Sequence, residues 1–332
     1  MKRVLLQTVF FACFSLLCGM AYGQTGYLYQ NDIEGWQDKI RYHSNGGNYV
    51  TCSQPSLLAR PNHFAITDIH NYMIDAHVAD GYFVQDFEII DDYVFFCGYN
   101  GSMSGFLGWF DINDVFYGTG SSGRAHIDAT LGTYGIEELD NIEVYYDAGG
   151  RIHIAGVGRS FVSGVWYNKA FEAVGYTPNT MQYRVVDLNG SGSFPELTVT
   201  NDFVVYLTGE RNNCNIGIGY MLEPFPKNDM FALPMLPSFL FQTVATGTCI
   251  PPDAFDPYLD IAITHKENNT IAVCNCRCGF VPLSYSLSFC SYTLDNNFWL
   301  VYREYDLAPL LAGNPIQMIT DNRINLPLGG RL

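Results

Sequence analysis

Residues 86–130 read DFEIIDDYVFFCGYNGSMSGFLGWFDINDVFYGTGSSGRAHIDAT, and this stretch decides the fold. Runs dense in Val, Ile, Phe and Tyr are cut at Asp91-Asp92, at Asn100-Gly101 and across Thr119–Gly123, where turn-forming residues gather. The pattern predicts four short strands. No stretch of the chain keeps apolar residues three and four apart for long enough to bury one face of a helix, so the expected class is all-β.

Copies of the stretch lie on either side of it. Tyr49-Val50-Thr51-Cys52 matches Val94-Phe95-Phe96-Cys97, Ile66–His70 matches Trp109–Asn113, and Met73–His77 matches His126–Thr130, in the same order. Downstream, Asn141 and Glu196 follow Asp86 at intervals of 55 residues, the mark of a repeat architecture. A further copy opens at Asp260-Ile261-Ala262-Ile263 and reaches Tyr305-Asp306-Leu307, which matches Phe110-Asp111-Ile112; an extra strand is expected at 284–294. The units run approximately over 38–80, 86–135, 141–190, 196–250 and 258–321. Cys52, Cys97 and Cys274 are assigned to one repeat position, filled by Ala155 and Thr208 in the other units.

A four-stranded sheet of this length cannot bury both faces alone, whereas radial stacking covers both and leaves only short edges. Nearly continuous apolar strands such as Tyr93–Cys97 suit burial on two sides. The expectation is a single β-propeller domain of about five four-stranded blades, over residues 24–332. A degenerate sixth blade is the alternative, with 24–37 and 322–332 as irregular ends that would either belong to it or close the ring.

The recurring D-x-x-[IV] … hydrophobic-[CAT]-G unit resembles the exported β-propeller repeat proteins of Gram-negative bacteria, over roughly residues 38–321. The Trp-Asp dipeptide of WD40 blades and the sialidase Asp-box are both missing. The resemblance therefore implies a fold and no particular activity.

Lys2 and Arg3, the apolar run Val4–Cys18 and Ala21-Tyr22-Gly23 read as a secretory signal spanning 1–23. The expected location is outside the cytoplasm: periplasmic, cell-surface or secreted. Cleavage would take the net charge of −16 to −18, which disfavours nucleic acid and anionic membrane surfaces as partners. No other apolar run is long enough to span a membrane as a helix.

Four groups of residues carry candidate chemistry. Asp86, Asn141, Glu196 and Asp260 each open an inner strand, and would either ring one mouth of a central channel as a binding site or cap tight turns through backbone amides. Asp68-Ile69-His70 and Asp75-Ala76-His77 each place an oxygen and a nitrogen ligand two residues apart, on one side of a strand, as a zinc site would require. Against that, the aspartates recur in units without histidine. Asp187–Gly192 resembles half a calcium loop but has Thr198 where the closing glutamate should stand. Neither metal is required, and no cofactor is expected. An oxidising compartment favours disulfides, for which Cys278–Cys290 and Cys214–Cys249 are candidates among many pairings.

No Gly-x-Ser-x-Gly, His-Glu-x-x-His or phosphate-cradling loop is present. The first expectation is therefore a binding or interaction module for a carbohydrate or protein ligand. Its loop aromatics Trp109, Tyr117, Trp166, Tyr167 and Phe231 are candidates for stacking. Alternatives are a glycan-processing enzyme of the glycoside hydrolase type, which needs several carboxylates converging in a funnel, and a structural surface protein.

Overall fold

Among the described residues, twenty strands fall into five sheets, each of four strands in simple antiparallel succession. The computed structural model describes residues 36–325 except 46, 55–62, 68–72, 79–80, 118–125, 189–194, 211–217, 229–238, 244–258 and 278–298, with some strand residues described by their backbone alone. All five sheets lie within one compact unit, Gly35–Leu332.

The first sheet holds β1 (Trp36–His43), β2 (Asn48–Gln54), β3 (His63–Thr67) and β4 (Met73–His77). The second holds β5 (Tyr82–Ile90), β6 (Tyr93–Asn100), β7 (Gly105–Asp111) and β8 (His126–Thr130). The third holds β9 (Glu138–Tyr146), β10 (Ile152–Val162), β11 (Val165–Gly175) and β12 (Gln182–Asp187). The fourth holds β13 (Glu196–Val199), β14 (Phe203–Glu210), β15 (Ile218–Pro226) and β16 (Phe239–Thr243). The fifth holds β17 (Leu259–Glu267), β18 (Thr270–Arg277), β19 (Trp299–Asp306) and β20 (Gln317–Asn325).

Residues 322–325 thus complete the last strand and are not part of an irregular end. A short helix, α1 (Ile112–Tyr117), also departs from the all-strand reading of its unit. Ile112 is fully buried, and Asp111 Oδ1 accepts the Asn113 amide at 2.8 Å to start the turn. Six residues are too few for helical periodicity to show in a sequence.

Each core cluster lies between consecutive sheets. Phe64 of the first sheet packs on Phe87, Phe96 and Phe110 of the second at 5.1–5.3 Å between ring centroids. Phe95, Cys97 and Leu107 of the second meet Leu139, Ile142 and Ile154 of the third. Val157 and Ala170 of the third meet Leu197 and Tyr206 of the fourth, and Val205 and Leu207 of the fourth meet Ile271 and Tyr305 of the fifth. Middle strands are therefore covered on both faces, and five successive residues from Val94 to Gly98 are buried. Each ring removed from water in this way contributes about 1.5–3 kcal/mol.

Polar bonds repeat between the same neighbours, near the turn joining first and second strands. His43 Nε2 and Asp92 Oδ1 lie 2.9 Å apart between the first two sheets. Tyr146 donates to Asp91 between the second and third, and Tyr145 donates to the Lys227 carbonyl at 2.9 Å between the third and fourth. Asn269 Oδ1 accepts from the Thr200 hydroxyl and the Asp202 amide, each at 3.1 Å, and Asn269 Nδ2 donates to Asp202 Oδ2 at 2.7 Å between the fourth and fifth.

Three first strands carry a bulge at one equivalent place. The ladder skips Asp38 in β1, Gln85 in β5 and Asp140 in β9. In the second and third sheets a facing glycine makes room for it, where the first sheet has Ser53. A Cβ on Gly98 would stand 1.8 Å from the Phe83 carbonyl, and one on Gly158 would stand 2.4 Å from the Glu138 carbonyl.

The bulges also reset the repeat alignment. Cys52 faces Lys39, Cys97 faces Asp86 and Val157 faces Asn141, so Val157 shares the cysteine position and Ala155, opposite Glu143, does not. In the fourth sheet the residue opposite Glu196 is Leu207, not Thr208. Turns of unequal length shifted the sequence match by one or two residues.

Candidate functional site

The equivalent positions on consecutive first strands gather charge. Two residues beyond each bulge partner stand Arg41 on β1, Glu88 on β5 and Glu143 on β9, opposite Val50, Phe95 and Ala155 in the same register. Arg41 donates through Nε at 2.8 Å and Nη2 at 2.5 Å to one oxygen of Glu88, and Nη2 lies 3.9 Å from Asp86 Oδ1. Burial works against the Arg41 charge, but the bond to Glu88 and the charges of Glu88, Asp86 and Glu143 outweigh it and raise the guanidinium above its usual value. Arg41 thus binds Glu88 and lies beside Asp86, and the charge of Glu143 on β9 acts on it from farther off. On the following strand pair, Asn141 Nδ2 donates to Glu196 Oε2 at 3.2 Å.

Asp86 is only 1% exposed. Its Oδ1 accepts the Phe87 amide at 2.8 Å and its Oδ2 accepts the Ile142 amide of β9 at 3.0 Å. It is the fifth residue of β5 and Asn141 the fourth of β9, so neither opens its strand nor caps a turn. Asp86 ties one strand to the next through backbone amides. Glu196 does open β13. Asp260 lies opposite Cys276, whereas Cys274, the match to Cys97, lies opposite Ala262. Asp260 therefore does not share the strand register of Asp86, Asn141 and Glu196.

A second charged group stands at the start of β9. Arg159 Nε and Nη2 donate to Asp140 Oδ2 and Oδ1, each at 2.9 Å, and Nη2 also donates to Glu138 Oε2 at 2.6 Å. The guanidinium lies 5.0 Å from the Trp166 ring centroid. Burial pushes the Asp140 carboxyl up to about 6, more than the Arg159 charge and bonds pull it down, with Glu138 adding to the rise.

A third group is enclosed in the third sheet. His153 Nδ1 lies 3.0 Å from Glu172 Oε1, and Nε2 lies 3.0 Å from Asp147 Oδ2. Tyr145 stacks on the imidazole at 5.2 Å with 16° between the planes. Burial acts against the Asp147 charge, yet the Arg151 amide, His153, the Arg151 guanidinium and the Gly149 amide together hold its carboxyl well below the ordinary range. With His153 and Glu172 each 2% exposed, this group braces the sheet and offers no face to a ligand.

Asp68 and His70 lie outside the described residues. Asp75 and His77 belong to β4, where the backbone of His77 pairs with that of His63. Asp187 ends β12 and bonds Lys169, while 189–194 of the calcium-like loop are outside the described residues, as are Cys214, Cys249, Cys278, Cys290 and the expected strand at 284–294. Among the described residues, no group of three or more His, Cys, Asp or Glu side chains is arranged to hold a metal ion. Trp109 packs in the core against Tyr93, and Tyr167 is 46% exposed. Arg41, Glu88 and Glu143 escaped the sequence reading. The 55-residue interval between the two glutamates, each two residues past a repeat polar residue, was the signal that would have found them.

No protein-family model matches the chain, and no curated protein does. Among solved structures, a polysaccharide lyase is 11% identical with a TM-score of 0.46, covering 93% of this chain and 85% of its own. An α-L-arabinofuranosidase from Fusarium graminearum is 9% identical at 0.40, covering 86% and 91%. The β-propeller domain of the Trilobed protease from Pyrococcus furiosus is 8% identical at 0.37, covering 89% and 99%. Likeness at this level leaves the residues above to carry any functional reading.

Proposed function

We propose that the five sheets close as the blades of a propeller and that the face formed by their first strands binds and cleaves a glycan. One observation carries this reading: Glu88, held by Arg41, and Glu143 stand at equivalent positions on successive first strands, and Glu196 follows on the next. Glycosidic cleavage needs one carboxyl group to protonate the leaving oxygen and a second to activate water or attack the sugar. We assign Glu88 and Glu143 to that step. Arg41 is a positioning residue for Glu88, and Asn141 is one for Glu196. Asp86, with both oxygens on backbone amides, builds the scaffold. Export behind a signal at 1–23 belongs to the same proposal.

The second reading is a glycan-binding module without catalysis. It is favoured by the use of Asp86 and Glu88 as ties between strands. The discriminating experiment incubates the chain with neutral oligosaccharides and polysaccharides and follows new reducing ends. Glu143→Gln should lower the rate about a hundredfold or more with an unchanged melting temperature. Binding without product release would favour the module. Neither binding nor release would sink both readings.

A further inference from the structure

Among the described strands β10 and β11 are the longest, 11 residues each, and they outrun the pairing of their neighbours. Pairing to β9 stops at Arg159↔Glu138, and pairing to β12 stops at Lys169↔Asp187. Beyond these pairs, at the tip, β10 and β11 continue against each other and carry exposed apolar side chains on both faces: Phe161, 47% exposed, beside Trp166 on one, and Val162 (54%) and Tyr167 (46%) on the other. The face that matters is the one on which exposed Phe161 adjoins Trp166, because adjoining apolar rings at a surface mark a contact site.

One face of this tip is built in layers. Phe161 and Trp166 are directly opposed across the hairpin, with rings 5.0 Å apart. Arg159 backs the Trp166 ring, and Glu138 and Asp140 fix Arg159 in turn. Glu137 Oε2 accepts the Phe161 amide at 3.0 Å, which anchors the tip to the start of β9. The result is a rigid aromatic surface rimmed by carboxylates, at the end of β9 where Asn141 bonds Glu196.

We propose that this tip is a stacking subsite for a neutral saccharide, an inference that rests on the glycan reading above. Aromatic rings bordered by a few fixed polar groups suit a sugar, whose ring carbons present an apolar face and whose hydroxyls donate to carboxylates. The occupant is neutral because the cations at this end of the hairpin, Arg159 and Lys169, are already paired with carboxylates. A uronate or sulfated sugar would meet Glu137, Glu138 and Asp140 with no cation left for it among the described residues of this surface.

The test is calorimetric titration of the full chain with short and long neutral oligosaccharides, and with a uronate-containing one, beside the cleavage assay. Phe161→Ser and Trp166→Ala should each weaken binding of the long neutral ligand about tenfold, and leave cleavage of the shortest substrate unchanged. Phe161 is exposed, so its variant keeps the test open if Trp166→Ala fails to fold. Binding by both variants equal to that of the unmodified chain overturns the subsite while the glycan reading stands. Preference for the uronate ligand overturns the assignment of a neutral sugar. Failure of the unmodified chain to bind or cleave any of them overturns the subsite together with the reading beneath it.

Discussion

At the scale of single residues, two aspartates near β9 have opposite consequences for stability. Asp140 has its folded-state value raised from 3.8 to about 6, so it holds a proton more readily in the folded chain. Its contribution is complete below the unfolded value and is lost as pH rises through about 6. Urea titrations should show unmodified protein losing stability relative to Asp140→Asn across that window; the opposite slope would show that Arg159 dominates. Asp147 is lowered, so its contribution is present above the ordinary carboxylate range and disappears as pH falls. Asp147→Asn should flatten the acid limb of the same profile. Asp86 acts on packing. Asp86→Ala leaves the Ile142 amide without its partner in a buried setting and should cost about 1–3 kcal/mol, read as a lower denaturation midpoint at unchanged slope.

At the scale of elements, the bulge explains a sequence feature that had only a pattern behind it. The glycine after Cys97 is required because a first-strand carbonyl approaches it, as Phe83 approaches Gly98; in the third sheet the same approach, from Glu138, falls on Gly158 and not on Gly156 of the Ala155-Gly156 match. Backbone cannot yield as a side chain can. Gly158→Ala should therefore destabilise by about 1–3 kcal/mol, and Gly135→Ala, with nothing near its Cβ, should cost only the strain of its positive φ. Equal melting temperatures for Gly158→Ala and the unmodified chain would remove this account. The strands themselves were legible because apolar runs and turn residues are local properties. The bulges were not, since one skipped residue changes which partner it faces while leaving composition untouched.

At the scale of the whole molecule, four core clusters and four sets of polar bonds link the five sheets in sequence order. On the last sheet Ala262 and Thr264 are exposed, and on the first Tyr42 is 57% exposed. Closure of these two sheets on each other is the proposal that scattering can decide. A closed unit of this length should have a radius of gyration of about 19 Å, and an open succession of sheets would exceed it. The bonds between sheets should also matter globally. Asn269→Ala strips partners from Thr200 and Asp202 at once, and we expect it to lower the midpoint of a single unfolding transition by about 1–3 kcal/mol. A separate early transition of the fifth sheet would show that the sheets unfold independently.

The sequence alone determined the four-strand unit, its repetition at a 55-residue interval and the class of the fold, because alternation, apolar density and turn chemistry act between near neighbours. It also marked Asp86, Asn141 and Glu196 as members of one series. Only the tertiary structure decided what that series does. Asp86 turned inward to backbone amides, Asn141 joined Glu196, and Asp260 fell out of register. The charged face built on Arg41, Glu88 and Glu143 likewise exists only once three strands stand side by side. Residues 47 and 55 positions apart become neighbours through packing, and no local pattern records that distance.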